Sequence, residues 1–246
     1  MPNHPYLLYQ QAVLDKLQKA FAQEQALLQA AEWIADAMAG SGWLYCSGTG
    51  HSHMFAEELF YRAGGFARVI PILDPALMLH ESATGSTELE RQEGYAAQLL
   101  SYYPINEQDV FIISSNSGRN PVSIEMAQFA KGKGAKVIAL TNLAHSQSVD
   151  SRHSSGLKLY ELADLCLDNF GEIGDAVIPF DGLEGRVGPT STVVGTALLQ
   201  AMVVQAVGLL LERGMVPEIF VSSNSDTGGA HNEALILKYQ KSIPFL

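Results

Sequence analysis

Short apolar runs alternate with segments of helical period along most of the chain. Leu7, Leu8, Ala12, Leu14, Leu27, Leu28, Ala31 and Ile34 recur at helical spacing and predict one long helix over 6–39. Its middle, 18–25, is more polar and admits a break, and Gly40-Ser41-Gly42 ends it. Apolar runs at 43–47, 68–72, 110–114, 136–140 and 165–167 read as strands. Helices are predicted over 52–63, 89–100, 121–133, 190–213 and 230–241, and a short extended piece at 220–221. The stretches 74–88, 141–157 and 169–189 are polar or glycine-rich and are expected to be irregular. Strands that alternate with helices imply one α/β domain, a parallel sheet with helices on both faces. Ligands bind such sheets beyond the carboxyl ends of the strands. The loops that follow the strands should therefore converge on one edge.

Composition narrows the function. The 246 residues, 47% apolar and 17% charged, suffice for one large domain with a substantial core. A net charge of −11 argues against a nucleic-acid partner, yet leaves room for one local phosphate pocket. Cys46 and Cys166 lie inside apolar runs, which favours buried free thiols over a disulfide. The first residues lack a basic region followed by an apolar core, so a cytoplasmic protein is expected. The stretch 193–211 carries no charge and reaches the length of a membrane span. Thr196, Gln200 and Gln205 interrupt it, and a helix apolar all round also suits a buried or oligomeric position. No membrane partner is expected.

Two turns carry candidate chemistry. The run ending at Ser114 passes through Ser115-Asn116-Ser117-Gly118-Arg119-Asn120 into Pro121, a residue suited to the first turn of a helix. Such a junction gathers free N–H groups, hydroxyls and the positive end of a helix dipole, a cradle for an anion such as phosphate. The plainer reading is a βα loop with a polar tip. Gly48-Thr49-Gly50-His51-Ser52 is a second glycine-rich strand–helix turn. It is neither a Walker A loop nor a full dinucleotide fingerprint.

The pair of turns resembles the sugar isomerase (SIS) domain family, whose signature is Gly-x-Gly-x-Ser followed by Ser-x-Ser-Gly-x-Thr/Ser. Ile124-Glu125-Met126-Ala127, the run 134–141 and Gly188-Pro189-Thr190-Ser191-Thr192 continue the likeness, which covers about 30–215. The resemblance implies a three-layer αβα sandwich on a five-stranded parallel sheet, flavodoxin-like. A helical arm over 1–39 and a helical extension over 216–246 would flank it. It implies a sugar-phosphate ligand, no redox cofactor, and a homodimer or homotetramer.

Carried over by position, Gly50, His51, Ser52, Ser115, Asn116, Ser117 and Asn120 would hold phosphate, Asn120 standing where Thr or Ser is usual. Thr190, Ser191, Arg119 and His231 are candidates for the rest of the substrate. Aldose–ketose isomerisation needs a base near the reacting carbon and donors for its oxygens. His80 and Glu81 are the expected acid–base pair, with Glu58 a further candidate. Phe55 to Leu59 is similar to a phosphoheptose isomerase segment in which a His and the second Glu bind metal. Here Met54 replaces that His, so no metal site is expected. The expected function is a sugar-phosphate isomerase of the phosphoheptose isomerase type. The alternatives are an amino-sugar phosphate lyase on the same fold and a non-catalytic phosphosugar sensor.

Overall fold

The computed structural model describes residues 4–224 and 228–246. The expected long first helix is two helices, α1 (Pro5–Phe21) and α2 (Glu24–Ala39). The break falls within the polar middle, and Gln23 explains it. Its side chain donates to the Asp168 carbonyl at 2.8 Å and accepts from the Asp168 N–H at 2.9 Å. A residue satisfying sheet-edge backbone in this way leaves the helical path, at φ −76°, ψ 47°.

Five strands form one parallel sheet: β1 (Leu44–Gly48), β2 (Val69–Ile72), β3 (Val110–Ser114), β4 (Lys136–Thr141) and β5 (Leu165–Asp168), in the order β2-β1-β3-β4-β5. Alternation sorts their side chains between two cores. Leu44, Cys46, Ile112, Ile138 and Leu140 face α1, α2, α3 (Met54–Leu59) and a long helix near the C-terminus. Tyr45, Phe111, Ile113, Val137 and Ala139 face the opposite layer. That layer contains α5 (Tyr95–Leu100), α6 (Pro121–Gly132), α8 (Leu159–Leu162) and α10 (Gly228–Tyr239). This is the three-layer αβα arrangement with helical N- and C-terminal parts.

The long apolar helix is α9 (Ser191–Glu212). By length and composition it could span a membrane, but Val194, Leu198, Leu199, Met202 and Ala206 are buried in the first core. The fold uses it as a core helix. Cys46 is buried, Cys166 is half-buried, and both are free.

Three polar stretches are more ordered than their sequence suggests, and two expected helices are shorter. Over 74–89 a 3-10 turn (Pro75–Leu77), started by Asp74 capping the Ala76 N–H, leads into α4 (Leu79–Leu89), kinked at Ser82. Ser86 is the one buried residue of α4, so no apolar stripe marks it in the sequence. The helix expected over 89–100 begins only at Tyr95, because Gly94 is left-handed, at φ 86°. The helix expected over 52–63 is a 3-10 turn (Gly50–His53) plus α3, which stops where Phe60 becomes extended. The 141–157 loop contains α7 (Leu143–Gln147).

The 169–189 stretch forms an antiparallel hairpin, β6 (Ala176–Pro179) with β7 (Arg186–Pro189). Tyr9 of α1 anchors it, donating its hydroxyl to the Pro189 carbonyl at 2.8 Å. The extended piece expected at 220–221 pairs through Phe220 with Gly64 and Gly65.

Candidate functional site

The sheet order places the two turns side by side. Gly48, the last residue of β1, pairs with Ser114, the last of β3, at the point where the strand order reverses. Only glycine fits at 48, because a Cβ there would land on the Ser52 carbonyl. The chain folds back tightly, with the Ser52 N–H donating to the Thr49 carbonyl at 3.0 Å. Thr49 fixes the turn from outside by donating its hydroxyl to Glu90 at 2.5 Å.

In the second turn the carbonyls are tied back toward β4. The Thr141 hydroxyl donates to the carbonyls of Ser115 (2.7 Å) and Asn116 (3.1 Å), and the Asn142 N–H donates to Asn116 at 3.2 Å. Gly118 takes φ +57° and donates its N–H to Ser115 Oγ at 3.2 Å. The amides of Asn116, Ser117, Arg119 and Asn120 meet no acceptor among the described residues. They surround the start of α6, where the helix dipole favours an anion.

Buried polar atoms without partners point to the same edge. Apart from Tyr45 Oη, which sits in the second core, the buried side-chain polar atoms without partners among the described residues are Ser114 Oγ, Arg119 Nε, Ser146 Oγ and Thr190 Oγ1. Each lies in or beside the second turn or at the head of α9; Ser146 Oγ is 3.2 Å from where a Gly118 Cβ would stand. Native interiors rarely leave such groups unsatisfied, so their gathering marks a place built for a ligand or ordered water.

Beside the turns lies a cleft of about 570 Å³. His51, Ser52, Phe55 and Asn116 form one wall; Asp175, the strand from Arg186 to Pro189, Ser191 and Thr192 form the other. Asp175 organises that second wall from a left-handed backbone, φ 69°. Its carboxylate accepts the N–H groups of Thr190 (3.1 Å) and Ser191 (2.9 Å) and the Ser191 hydroxyl (2.5 Å), so it caps α9. Behind it, His145 Nδ1 accepts the Gly174 N–H at 3.0 Å, which leaves Nε2 to carry the proton. Burial lowers the pKa of this imidazole, Arg119 lowers it further, and Asp175 opposes both.

The residues expected from the sequence divide. His51, Ser52, Asn116 and Ser191 line the cleft. Gly50, Ser115, Ser117 and Arg119 belong to the adjoining turns, and Thr190 is buried at the head of α9. The other five expected residues have different surroundings.

The Asn120 amide oxygen accepts from the Arg152 guanidinium at 2.9 Å, and its amide N–H₂ has no acceptor among the described residues. Glu58 points away from the cleft; it bonds Arg62 at 2.9 Å and Gln200 at 3.0 Å, tying α3 to α9. His80 and Glu81 sit on the outer side of the first turn. They lie 3.9 Å apart with side chains 62% and 60% exposed, outside the cleft lining. His231 contacts the Ile219 carbonyl at 2.8 Å, and Ile219 bridges to Phe66 just before β2, at the opposite end of the sheet.

His53 turns its Nδ1 to the Gly50 carbonyl, so it does not join His51 and Glu58. Among the described residues no three metal-ligating side chains gather. Asp175, Arg186 and His145 were missed as site residues. They belong to polar stretches with no periodicity, and Asp175 meets α9 only through the fold.

Residues 6–142 match the SIS-domain family model. The chain belongs to the SIS-domain family. A UPF0309 protein of Halalkalibacterium halodurans is 45% identical over 224 residues, 91% of this chain and 90% of its own. The phosphoheptose isomerase of Neisseria gonorrhoeae aligns 97% of its length with 82% of this SIS protein, at TM-score 0.54 and 18% identity. The NanR protein of Vibrio vulnificus, in complex with ManNAc-6P, aligns 71% of its length with all of this chain at TM-score 0.52 and 19% identity. At these identities the two structures establish the shared SIS fold.

Proposed function

We propose that this SIS protein binds a sugar phosphate and interconverts its aldose and ketose forms. The observation that carries the reading is the pairing of Gly48 with Ser114, which sets two anion-cradling turns at the mouth of a sugar-sized cleft. The phosphate rests on the free amides of Asn116, Ser117, Arg119 and Asn120 with the hydroxyls of Ser52, Ser115 and Ser117. The carbon chain then runs into the cleft toward Ser191 and Arg186. Isomerisation removes a proton from the carbon next to the carbonyl, passes through an enediol, and returns a proton to the former carbonyl carbon. His51 lines the cleft, and its ring has no hydrogen-bond or ion-pair partner among the described residues. It is the proton-transfer group of this proposal, and Arg186 is the cation that stabilises the enediol oxygens. The exposed His80–Glu81 pair beside the first turn is the alternative acid–base pair.

The test is turnover on a panel of pentose, hexose and heptose phosphates, read as aldose–ketose interconversion, with His51→Asn and His80→Asn alongside. Loss of turnover only in His51→Asn supports the assignment; loss only in His80→Asn moves the chemistry to the outer pair. Phosphosugar binding without turnover on any member overturns the isomerase. The same panel should include a muramic-type phosphate, whose loss of a lactyl group would reveal a lyase.

One observation favours a second reading, a phosphosugar sensor. Asp175, the carboxylate in the cleft wall, is consumed in capping α9, which leaves little acid–base machinery. NanR shows that this fold also serves a protein that binds a phosphosugar.

A further inference from the structure

Three guanidiniums converge where the two turns meet, and none of them forms a salt bridge among the described residues. Arg119 follows Gly118 in the second turn, and its buried Nε has no partner. The Arg152 N–H donates to the Arg119 carbonyl at 2.8 Å, and its guanidinium donates to Asn120 Oδ1 at 2.9 Å. Arg91 and Glu90 are close enough to act on Arg152 electrostatically. Glu90 in turn holds Thr49 of the first turn. Arg152 therefore stands over the seam between the turns. Partial desolvation, then Arg119 and Arg91, make its positive charge harder to hold, while Glu90 eases it.

This crowding is unusual in a chain with 26 acidic and 15 basic residues. Of the twelve other basic residues, five (Lys16, Arg62, Lys131, Arg213 and Lys238) each meet a carboxylate. Arg119 and Arg91 are the cations and Glu90 the carboxylate that act on Arg152 itself, while Glu93 and Glu125 are taken up by the neighbouring Ser154 and His153. A seam with more guanidinium than carboxylate suits a phosphate monoester dianion.

The segment carrying Arg152 is also fastened. The Ser154 N–H and hydroxyl bond Glu93 at 2.6 and 2.8 Å, His153 lies 3.8 Å from Glu125, and the Ser151 hydroxyl donates to the Leu157 carbonyl at 2.7 Å. A guanidinium held in place before the ligand arrives loses less freedom on binding.

We propose that Arg152, positioned by Asn120 and backed by Arg119 and Arg91, closes the phosphate seat and selects doubly charged phosphate monoesters. Asn120, where the family usually has a hydroxyl, is then the residue that aims Arg152. The proposal rests on the reading that the two turns hold phosphate, and it adds the residue that decides which anion is accepted.

Calorimetry with inorganic phosphate, a hexose 6-phosphate and the matching hexose 6-sulfate tests it. The proteins are wild type, Arg152→Gln, Asn120→Ala, Ser115→Ala and, as a remote control, Lys133→Gln. Arg152 is exposed, so unchanged thermal midpoints will show the variants folded. Arg152→Gln should weaken inorganic phosphate by about tenfold or more, Asn120→Ala by less, and Lys133→Gln not measurably. The 6-sulfate, a monoanion, should bind far more weakly than the 6-phosphate to wild type, and the gap should shrink in Arg152→Gln. Wild-type affinity in Arg152→Gln, with loss in Ser115→Ala, overturns the arginine seat and leaves the turns standing. Arginine-dependent binding of inorganic phosphate, with no gain for any sugar phosphate, supports the seat and removes the sugar reading.

Discussion

Asp175 joins the hairpin to α9, and its removal should be felt in both stability and the cleft. Its carboxylate accepts two backbone N–H groups and one hydroxyl at the head of α9. A hydrogen bond to a charged group contributes about 1.5–3 kcal/mol when shielded, and loss of an N-cap costs about 1 kcal/mol. Asp175 is only half-buried and the terms overlap, so Asp175→Ala should cost about 2–3 kcal/mol in all. Asn keeps one acceptor oxygen and tolerates the left-handed backbone, so Asp175→Asn should cost about 1 kcal/mol. Gly loses the cap but relieves the φ of 69°, and should fall between the two. For a chain of this size each kcal/mol moves the thermal midpoint by roughly 2–4 °C, so Asp175→Ala should melt about 4–12 °C below wild type.

Differential scanning calorimetry orders the three variants, and phosphate titration reports the site. Because the turns do not depend on Asp175, inorganic phosphate affinity should hold while sugar-phosphate affinity falls. Three variants melting together at the wild-type temperature would refute the claim that this carboxylate fastens α9. Loss of inorganic phosphate binding would show that the hairpin shapes the phosphate seat as well.

Three further outcomes follow from single contacts. Gly48→Ala drives a Cβ into the Ser52 carbonyl; it should cost about 1–3 kcal/mol and abolish phosphate binding, and a variant with native affinity contradicts the turn geometry. The hydrogen bond from Lys16, then its charge, hold the Glu172 carboxyl below its ordinary value, so the pair's stabilisation is complete above the unfolded carboxylate pKa of about 4.3 and fades as pH falls through the depressed one. Glu172 is 50% exposed, so Glu172→Gln should differ from wild type by under about 1 kcal/mol in urea unfolding at pH 7, and a gap that persists at strongly acid pH contradicts the linkage. Burial pushes both thiols up to about 12, so neither Cys46 nor Cys166 should react with a disulfide reagent at pH 8 until the protein unfolds; rapid native labelling of Cys46 contradicts its burial.

The strands were legible because the sheet is covered on both faces, which makes each one a short unbroken apolar run such as 110–113. The helices on its faces were legible by period. What failed were the elements held by polar contacts. α4 buries only Ser86 and has no stripe to read. The β6–β7 hairpin is closed by pairing of Ala176, Ile178 and Pro179 with Pro189, Val187 and Arg186, not by an alternating pattern. Gln23 marks the α1–α2 break only because Asp168, far along the chain, offers backbone groups to it.

The site divides along the same line. The proposed phosphate end follows from local chemistry, since each turn is written in consecutive residues and the sheet order alone makes Gly48 and Ser114 neighbours. The cleft where we propose the reaction takes place is lined by His51, Asp175, Arg186 and Ser191, which share no motif and meet only because the hairpin folds over the head of α9. A likeness in sequence, not spacing, favoured His80 and Glu81; their side chains are exposed beside the first turn, whereas His51 lines the cleft. A family with a fixed anion seat and an exchangeable second wall would keep its phosphate residues while changing its chemistry. The side chains on the second wall, and not those of the turns, should therefore decide whether an SIS protein isomerises its ligand or only holds it.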